Sequence, residues 1–277
     1  MELVRTIKDF TYGESFALRQ RTLLRNFAIR LLSMRHAISD TNNWIRFPYY
    51  HHVFDDERRG FEKQLRYLKN YGEFISIDQV FELLHNKQPI NGRYFCLSFD
   101  DGYACLYHNM MPITARLNIP VIIYLPTDYI NLDMNIKADF ELVRDNLPNN
   151  PKLLSFLSWA QCNEMLGQQV LFGAHTKTHA NLMNADADKI EFELRTSKLE
   201  IEKNLPIPCD HFAYPWGRVY ENFDPQVTNV IAAKLGYKTM VTTNRGKTIQ
   251  GDHPYLIKRD HMLANWGNYQ LRYFLSK

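Results

Sequence analysis

The stretch that decides the fold is Tyr94–Gly102, which reads Tyr-Phe-Cys-Leu-Ser-Phe-Asp-Asp-Gly. Its first six residues are mostly apolar or aromatic and run without a break. Such a run predicts a strand that is buried on both faces, as in a parallel sheet. Asp100 and Asp101 follow directly, and they are expected to point different ways because strand side chains alternate in direction. Carboxylates at the carboxyl end of a parallel strand are typical of catalytic sites in α/β barrels and open α/β sheets.

Further strands are predicted on both sides of this stretch. Val121–Leu125 and Val170–Ala174 are apolar runs of strand length, and a helical pattern lies before each of them. This alternation predicts parallel strands joined by crossover helices, which is the α/β class. Ile45–Val53 predicts a first strand that ends in His51 and His52, and one of these histidines could reach a site at the strand end.

The composition is that of a soluble globular protein. The chain has 277 residues, of which 45% are hydrophobic and 23% charged, and its formal net charge is only +3. So small a charge argues against nucleic acid as the main partner. The four cysteines form no Cys-x-x-Cys pair and are interpreted as free thiols of a reducing compartment. The N-terminus is charged and does not resemble a signal peptide, so we expect a cytoplasmic protein.

Two parts are predicted along the chain, an N-terminal helical extension over residues 1–44 and the main α/β domain over residues 45–277. Within the domain, residues 127–157 predict an insertion or a long loop. Within the extension, Phe16 to His36 has a helical pattern with several arginines and no acidic residue. Two interpretations stay open: a helix packed on the domain with its arginines in water, or a basic amphipathic helix on an anionic membrane surface. The apolar markers of this helix are Phe16, Leu24, Phe27, Leu31 and Met34, and its arginines are Arg19, Arg21, Arg25, Arg30 and Arg35.

A metal site is predicted from Asp101 together with His175-Thr-Lys-Thr-His179, which follows another predicted strand. Two imidazoles and one carboxylate suit zinc, iron or cobalt, and three protein ligands leave room for catalysis. The His-x-x-x-His spacing would place both rings on one face of a helical turn. Asp100, beside the metal carboxylate, is then either a general base for the attacking water or the N-cap of the following helix.

These motifs resemble those of the polysaccharide deacetylases, the NodB-like superfamily that is also known as carbohydrate esterase family four. Ser-Phe-Asp100-Asp101-Gly102-Tyr is similar to its first motif, His175-Thr-Lys-Thr-His179 to its second, and Phe212-Ala-Tyr-Pro-Trp-Gly217 to its third. Tyr50-His51 is similar to a Tyr-His that many members carry on their first strand, and the resemblance extends over roughly residues 45 to 265.

The resemblance implies a distorted (β/α)₇ barrel and a metal-dependent amide hydrolase. By position in the motifs, Asp100 would be the catalytic base, and Asp101, His175 and His179 would hold a divalent metal. This metal is expected to be Zn²⁺, with Co²⁺, Mn²⁺ or Fe²⁺ as alternatives. The backbone N–H of Trp216 would help to stabilise the oxyanion.

The chain departs from the family pattern in two places. An arginine that often orients the base is replaced by Ala213, and Arg259 or Arg218 could substitute for it. The late Leu-x-His that supplies the general acid has no clear counterpart, and His261 is the first candidate by position, followed by His51. The residues expected to contact substrate are His51, Tyr214, Pro215, Trp216 and Arg259.

The function predicted from these residues is removal of an N-acyl group, most simply acetyl, from an amino sugar during the assembly of a surface polysaccharide or glycoconjugate. The substrate would be nucleotide-linked, lipid-linked or an oligosaccharide. Two alternatives stay open, another C–N hydrolase that acts on cyclic imides or ureides, and a non-catalytic carbohydrate-binding relative.

Overall fold

Ten α-helices and ten strands are found in the described part of the chain, which in this computed structural model comprises residues 4–38, 41–85, 89–134, 136–144 and 154–276. The helices are α1 Ile7–Thr11, α2 Phe16–Ser33, α3 Arg58–Leu68, α4 Ile77–His85, α5 Met111–Arg116, α6 Lys137–Arg144, α7 Trp159–Leu166, α8 Ala187–Asn204, α9 Pro225–Lys234 and α10 Asn268–Leu275. The strands are β1 Trp44–Arg46, β2 Pro48–Tyr50, β3 Glu73–Phe74, β4 Arg93–Phe95, β5 Leu97–Phe99, β6 Val121–Leu125, β7 Val170–Ala174, β8 His211–Ala213, β9 Thr239–Val241 and β10 Asp260–His261. Within the predicted insertion 127–157 the structure has α6, while residues 135 and 145–153 lie outside the described residues.

Seven parallel strands form the main sheet, in the order β10-β2-β5-β6-β7-β8-β9. The sheet curls so that its two edges approach each other. The amide of Thr242, after β9, donates to the carbonyl of Ile257 at 2.8 Å, and the amide of Arg259 donates to the carbonyl of Asn244 at 2.9 Å. The predicted α/β class and the distorted (β/α)₇ barrel are thereby confirmed.

The apolar run Tyr94–Phe99 is two strands, so the prediction of a single strand was wrong. β4 belongs to a small sheet with β1 and β3, and β5 belongs to the main sheet. The first strand divides in the same way between β1 and β2. The amide of Cys96 donates to the carbonyl of Arg46 at 2.9 Å where these two parallel, neighbouring segments pass from the small sheet to the main sheet. Phe47 and Cys96, which lie between the paired strands, are buried like the strands on either side. The hydrophobic pattern therefore gives no sign that the chain passes from one sheet to the other.

The two faces of the main sheet pack into different cores. On β6, Ile122 and Tyr124 belong to a cluster inside the barrel, whereas Val121, Ile123 and Leu125 belong to the larger cluster beneath the helices. This division follows from the alternation of side chains along a strand. All five are buried, which is why β6 reads as a continuous apolar run.

The N-terminal helices lie against the barrel. Phe10 of α1 has its ring 5.2 Å from that of His52, and α2 packs along α10. Ile38 is fully buried in the larger core, and β1 begins at Trp44, one residue before the predicted domain boundary. The division into residues 1–44 and 45–277 stays a prediction. Besides residues 135 and 145–153, residues 1–3, 39–40, 86–88 and 277 lie outside the described residues.

Candidate metal and catalytic site

Asp101, His175 and His179 meet at the carboxyl ends of β5 and β7. Asp101 Oδ1 is 3.6 Å from His175 Nε2 and 3.4 Å from His179 Nε2. The three ligand atoms all lie within 4.8 Å of one another. Asp101 Oδ1 is buried and accepts no hydrogen bond from the described residues. The three side chains predicted as metal ligands are therefore brought together.

The arrangement of these atoms fits a divalent cation. Two ligands held by a tetrahedral zinc ion at about 2.1 Å are separated by about 3.4 Å, close to the separations found here. His175 Nδ1 lies 2.7 Å from the carbonyl oxygen of Ala213, and it must be the donor because a carbonyl only accepts. This hydrogen bond leaves the lone pair on Nε2, which faces Asp101. Burial lowers the pKa of both imidazoles, that of His179 to about 4, so both are neutral near pH 7, as metal ligands must be.

The two histidines are presented by an irregular loop, so the predicted helical turn was wrong. Thr176 has φ +62° and His179 has φ +58°, both in the left-handed region. Glu193 of α8 stabilises this loop from below. Its carboxylate accepts hydrogen bonds from the amides of Lys177 and Thr178 at 2.9 and 3.0 Å and from the Thr178 hydroxyl at 2.9 Å.

Asp100 points away from Asp101 and forms a bidentate ion pair with Arg259. Both guanidinium–carboxylate distances are 2.7 Å, and both residues are buried. Arg259 also donates from Nε to the carbonyl of Thr242 at 2.9 Å. Burial by itself raises the pKa of Asp100, but the guanidinium outweighs it and lowers the pKa to about 2. Asp100 is thus an ionised carboxylate whose oxygens both face Arg259, and not the N-cap of the following helix.

Of the two arginines that could orient the base in place of Ala213, Arg259 is the one that contacts Asp100. Arg218 is exposed and pairs with Glu221, whereas Arg259 reaches Asp100 from the opposite end of the chain. Arg259 was also expected to contact substrate. It is fully buried with its guanidinium paired to Asp100, and its contact with substrate stays a prediction.

The third motif places one exposed residue at the site. Trp216 is 48% exposed, has φ +62°, and packs edge-on to His179 with ring centroids 5.3 Å apart. Its backbone N–H donates to no acceptor within the described residues. Tyr214 and Pro215, also expected to contact substrate, are both buried, and the Tyr214 ring stacks on Phe223 with centroids 3.5 Å apart. Their contact with substrate stays a prediction. These two residues shape the turn that presents Trp216.

Two further histidines lie together on the opposite side of Asp100. His51 follows β2 and His261 ends β10, and their ring centroids are 5.3 Å apart. Both are partly exposed. Burial, followed by the neighbouring His51 and Arg245, lowers the pKa of His261 to about 3. His261 is therefore neutral near pH 7, and its role as the general acid stays a prediction.

Comparison with known proteins assigns the family. The family model described as polysaccharide deacetylase matches residues 87–240, more than half of the chain. The chain belongs to the polysaccharide deacetylase family. Its members are carbohydrate deacetylases, which are hydrolases, and the resemblance predicted from the motifs is confirmed.

Individual relatives of this deacetylase are distant. The Bacillus subtilis protein YxkH, whose description as a polysaccharide deacetylase is provisional, is 22% identical over 82% of this chain and 68% of its own length. The deacetylase PplD of Streptococcus pyogenes, solved in complex with acetate, superposes with a TM-score of 0.67 at 24% identity, covering 86% of this chain and 100% of its own. IcaB from Ammonifex degensii gives a TM-score of 0.69 at 19% identity, covering 86% of this chain and 99% of its own. At these identities the likeness concerns the fold.

Two residues of the deacetylase site escaped the sequence analysis. Tyr103 is buried and hydrogen-bonds to Asp101; burial and the Asp101 carboxylate raise the pKa of its hydroxyl, which stays protonated. Its position directly after Gly102 was the available signal. The role of Glu193 could not be predicted from the sequence. It is one of several glutamates on α8, and it differs from the others only in its contacts with the loop of His175 and His179.

None of the described helices combines the length and the apolar character needed to cross a bilayer.

Proposed function

We propose that this chain is a metal-dependent deacetylase that removes an N-acyl group from an amino sugar. The observation that carries the proposal is that two adjacent carboxylates have different partners. Asp101 faces two neutral imidazoles, and Asp100 forms a bidentate ion pair with Arg259. One carboxylate is thus available to a metal and the other to a proton, which is the division of labour that metal-assisted amide hydrolysis requires.

The side chains have distinct parts in the proposed reaction. A divalent ion held by Asp101, His175 and His179 would polarise the acyl group and acidify the attacking water. Asp100 accepts the proton of this water as its oxygen attacks the acyl carbon. Arg259 keeps Asp100 ionised and fixes its orientation. The Trp216 N–H donates to the developing oxyanion from a turn made rigid by the buried Pro215.

The reaction ends when the carbon–nitrogen bond breaks and the amine takes up a proton. His51 and His261 are the imidazoles nearest to this step, on the side of Asp100 away from the proposed metal ligands. His261, the first candidate for the general acid, has its pKa lowered to about 3 by burial and would have to gain a proton before it could donate one; His51, with its ring 5.3 Å away, is the second candidate. The products are an amino sugar and a carboxylate anion.

The proposed substrate is an acetylated amino sugar, either nucleotide-linked, lipid-linked or an oligosaccharide, used in the biosynthesis of a surface polysaccharide or glycoconjugate. The complex of PplD with acetate, the product of deacetylation, supports acetyl as the acyl group. The four free cysteines, three of them buried, support a reducing, cytoplasmic compartment. The non-catalytic alternative rested on the missing arginine partner of Asp100 and on the unclear general acid. Arg259 supplies the arginine, and the general acid stays a prediction.

Metal content and turnover together test this proposal. Elemental analysis should find about one divalent ion per chain after incubation with Zn²⁺, Co²⁺, Mn²⁺ or Fe²⁺, and Asp101→Ala and His179→Ala should lose it. Asp100→Asn, the matched neighbour, should retain the metal and release acetate from acetylated amino sugars on the order of 10² or more times slower. A wild-type protein that binds no metal, or an Asp100→Asn variant with full turnover, contradicts the mechanism.

A further inference from the structure

The orientation of α2 is the reverse of what its apolar residues predict. The side packed against the domain is small and polar: Ser33 is buried, and Asn26 Oδ1 accepts a hydrogen bond from Gln270 Nε2 of α10 at 3.3 Å. Ile29 is the one large apolar side chain buried on this helix. The expectation that the apolar markers pack on the domain is therefore wrong, although the helix itself does pack on α10.

The outward side of α2 is a mostly apolar face, in which the exposed Gln20 is the polar residue nearest to the centre. Its large side chains recur at the three- and four-residue spacing that places them on one side of a helix. Their exposed fractions are far above those of ordinary packing positions. They are Phe16 at 76%, Leu23 at 62%, Leu24 at 70%, Phe27 at 63%, Leu31 at 53% and, directly after the helix, Met34 at 76%.

Arginines border this apolar face. At about 100° per residue, Arg19 and Arg30 lie on one flank of the stripe centred on Phe27, and Arg21 and Arg35 lie toward the other. All four are exposed, and none forms an ion pair within the described residues. From residue 16 to residue 38 the sequence has no aspartate or glutamate.

We propose that this face of α2 docks on an anionic lipid bilayer. Leucine and phenylalanine side chains would enter the boundary between headgroups and acyl chains, and the flanking arginines would contact lipid phosphates. Charge favours this occupant over a second copy of the chain. In a symmetric dimer through this face, like-charged arginine rims would meet with no acidic residue of α2 to compensate them.

Docking through α2 would bring one rim of the proposed active site near the membrane. Phe10 of α1 contacts His52, which is next to His51. Only residues 12–15 connect α1 to α2, and the five steps from Thr11 to Phe16 span at most about 18 Å. The start of the apolar face is thus held close to the side of the barrel where His51 lies. The docking itself does not depend on the proposed function.

Vesicle co-sedimentation of the full chain tests the docking. The wild-type protein should bind vesicles of an equimolar mixture of phosphatidylglycerol and phosphatidylcholine, and should bind pure phosphatidylcholine at least tenfold more weakly. Phe27→Ser/Leu31→Ser should weaken binding to the anionic vesicles by about tenfold or more. Arg19→Gln/Arg30→Gln should weaken it similarly, and raising NaCl from about 0.1 M to about 1 M should weaken binding of the wild type.

The matched control is Phe192→Ser/Leu199→Ser on α8, which is 18 residues long like α2. Phe192 is 46% exposed and Leu199 is 56% exposed. This helix carries acidic residues among its basic ones, and the control should bind as the wild type does. Equal loss in the control, or unchanged binding in Phe27→Ser/Leu31→Ser, overturns the proposal. The proposal is also overturned if the wild type does not bind vesicles and sedimentation velocity shows that it is a dimer, which Phe27→Ser/Leu31→Ser dissociates.

Discussion

Arg259 determines whether Asp100 can serve as a base, because it is the cation that contacts this buried carboxylate. Arg259→Met should leave the carboxylate uncompensated and destabilise the fold by about 3–5 kcal/mol. Arg259→Lys keeps a positive charge but cannot make the bidentate contact. We expect it to fold and to lower kcat on the order of 10² or more, with a smaller change in KM. Urea unfolding and steady-state deacetylation measure the two effects.

Arg218→Ala is the control for the arginine variants, since Arg218 is exposed and pairs with Glu221 on the surface. Surface pairs contribute about 0–1 kcal/mol, so this variant should match the wild type in stability and rate. An Arg259→Lys enzyme with wild-type kcat would show that Asp100 needs charge compensation but no fixed orientation.

His261 should make the stability of the protein fall in mild acid. Its pKa is about 3 in the folded chain, below its ordinary value of 6.5. A lowered pKa means that the unfolded state binds the proton more tightly, so the stabilisation is present above about pH 6.5 and is lost progressively down to about pH 3. At pH 5 the loss should be about 2 kcal/mol relative to pH 7.

Comparison of variants isolates this contribution from those of other histidines. The free energy of unfolding of the wild type should fall between pH 7 and pH 5 by about 2 kcal/mol more than that of His261→Asn. His108→Asn, at an exposed position, should follow the wild type. Parallel pH profiles for all three proteins would mean that His261 titrates normally.

At the scale of elements, α8 fixes the loop that carries His175 and His179. Glu193 is buried and accepts three hydrogen bonds from Lys177 and Thr178. Glu193→Ala leaves two amides of the loop without their acceptor, which costs about 1–3 kcal/mol. Since loss of a group that orients ligands typically weakens metal binding 10–100-fold, we expect a similar loss of zinc affinity. Competition with a chromogenic chelator measures it.

Glu191→Ala on the same helix is the matched control, because Glu191 is partly exposed and pairs with Arg195 on the surface. It should keep zinc affinity within about twofold, in line with the small effects of surface pairs. Equal affinities in the two variants would show that the loop holds its conformation without α8.

The elements also show how far the sequence determines the site. Asp101 and the His-x-x-x-His pair were predicted because each follows an apolar run, and parallel strands bring their carboxyl ends to one rim. The contact between Arg259 and Asp100 spans 159 residues, and no local pattern encodes it. The left-handed backbone at Thr176 and His179 was also hidden, because the spacing of the histidines fits a helical turn equally well.

At the scale of the whole molecule, some side chains of the N-terminal extension pack on the barrel and others are exposed to solvent. Its hydrophobic pattern predicts a helix without saying which side the domain covers. The structure turns the polar side of α2 inward and anchors the segment through Ile38, which is fully buried in the larger core. The extension therefore contributes to stability through few side chains, and its apolar face is available for another purpose.

This separation predicts opposite outcomes for two aliphatic residues in one segment. Ile38→Ala should destabilise the whole protein by about 2–5 kcal/mol, because it removes buried methyl groups from the core. Leu31→Ala should change stability by about 0.5 kcal/mol or less, because Leu31 is 53% exposed. Urea unfolding followed by tryptophan fluorescence measures both. Vesicle binding should show the reverse order, with Leu31→Ala weakened and Ile38→Ala unchanged in the folded protein. A destabilised Leu31→Ala would mean that the apolar face of α2 is packed in solution, and the inferred docking surface would then not be free.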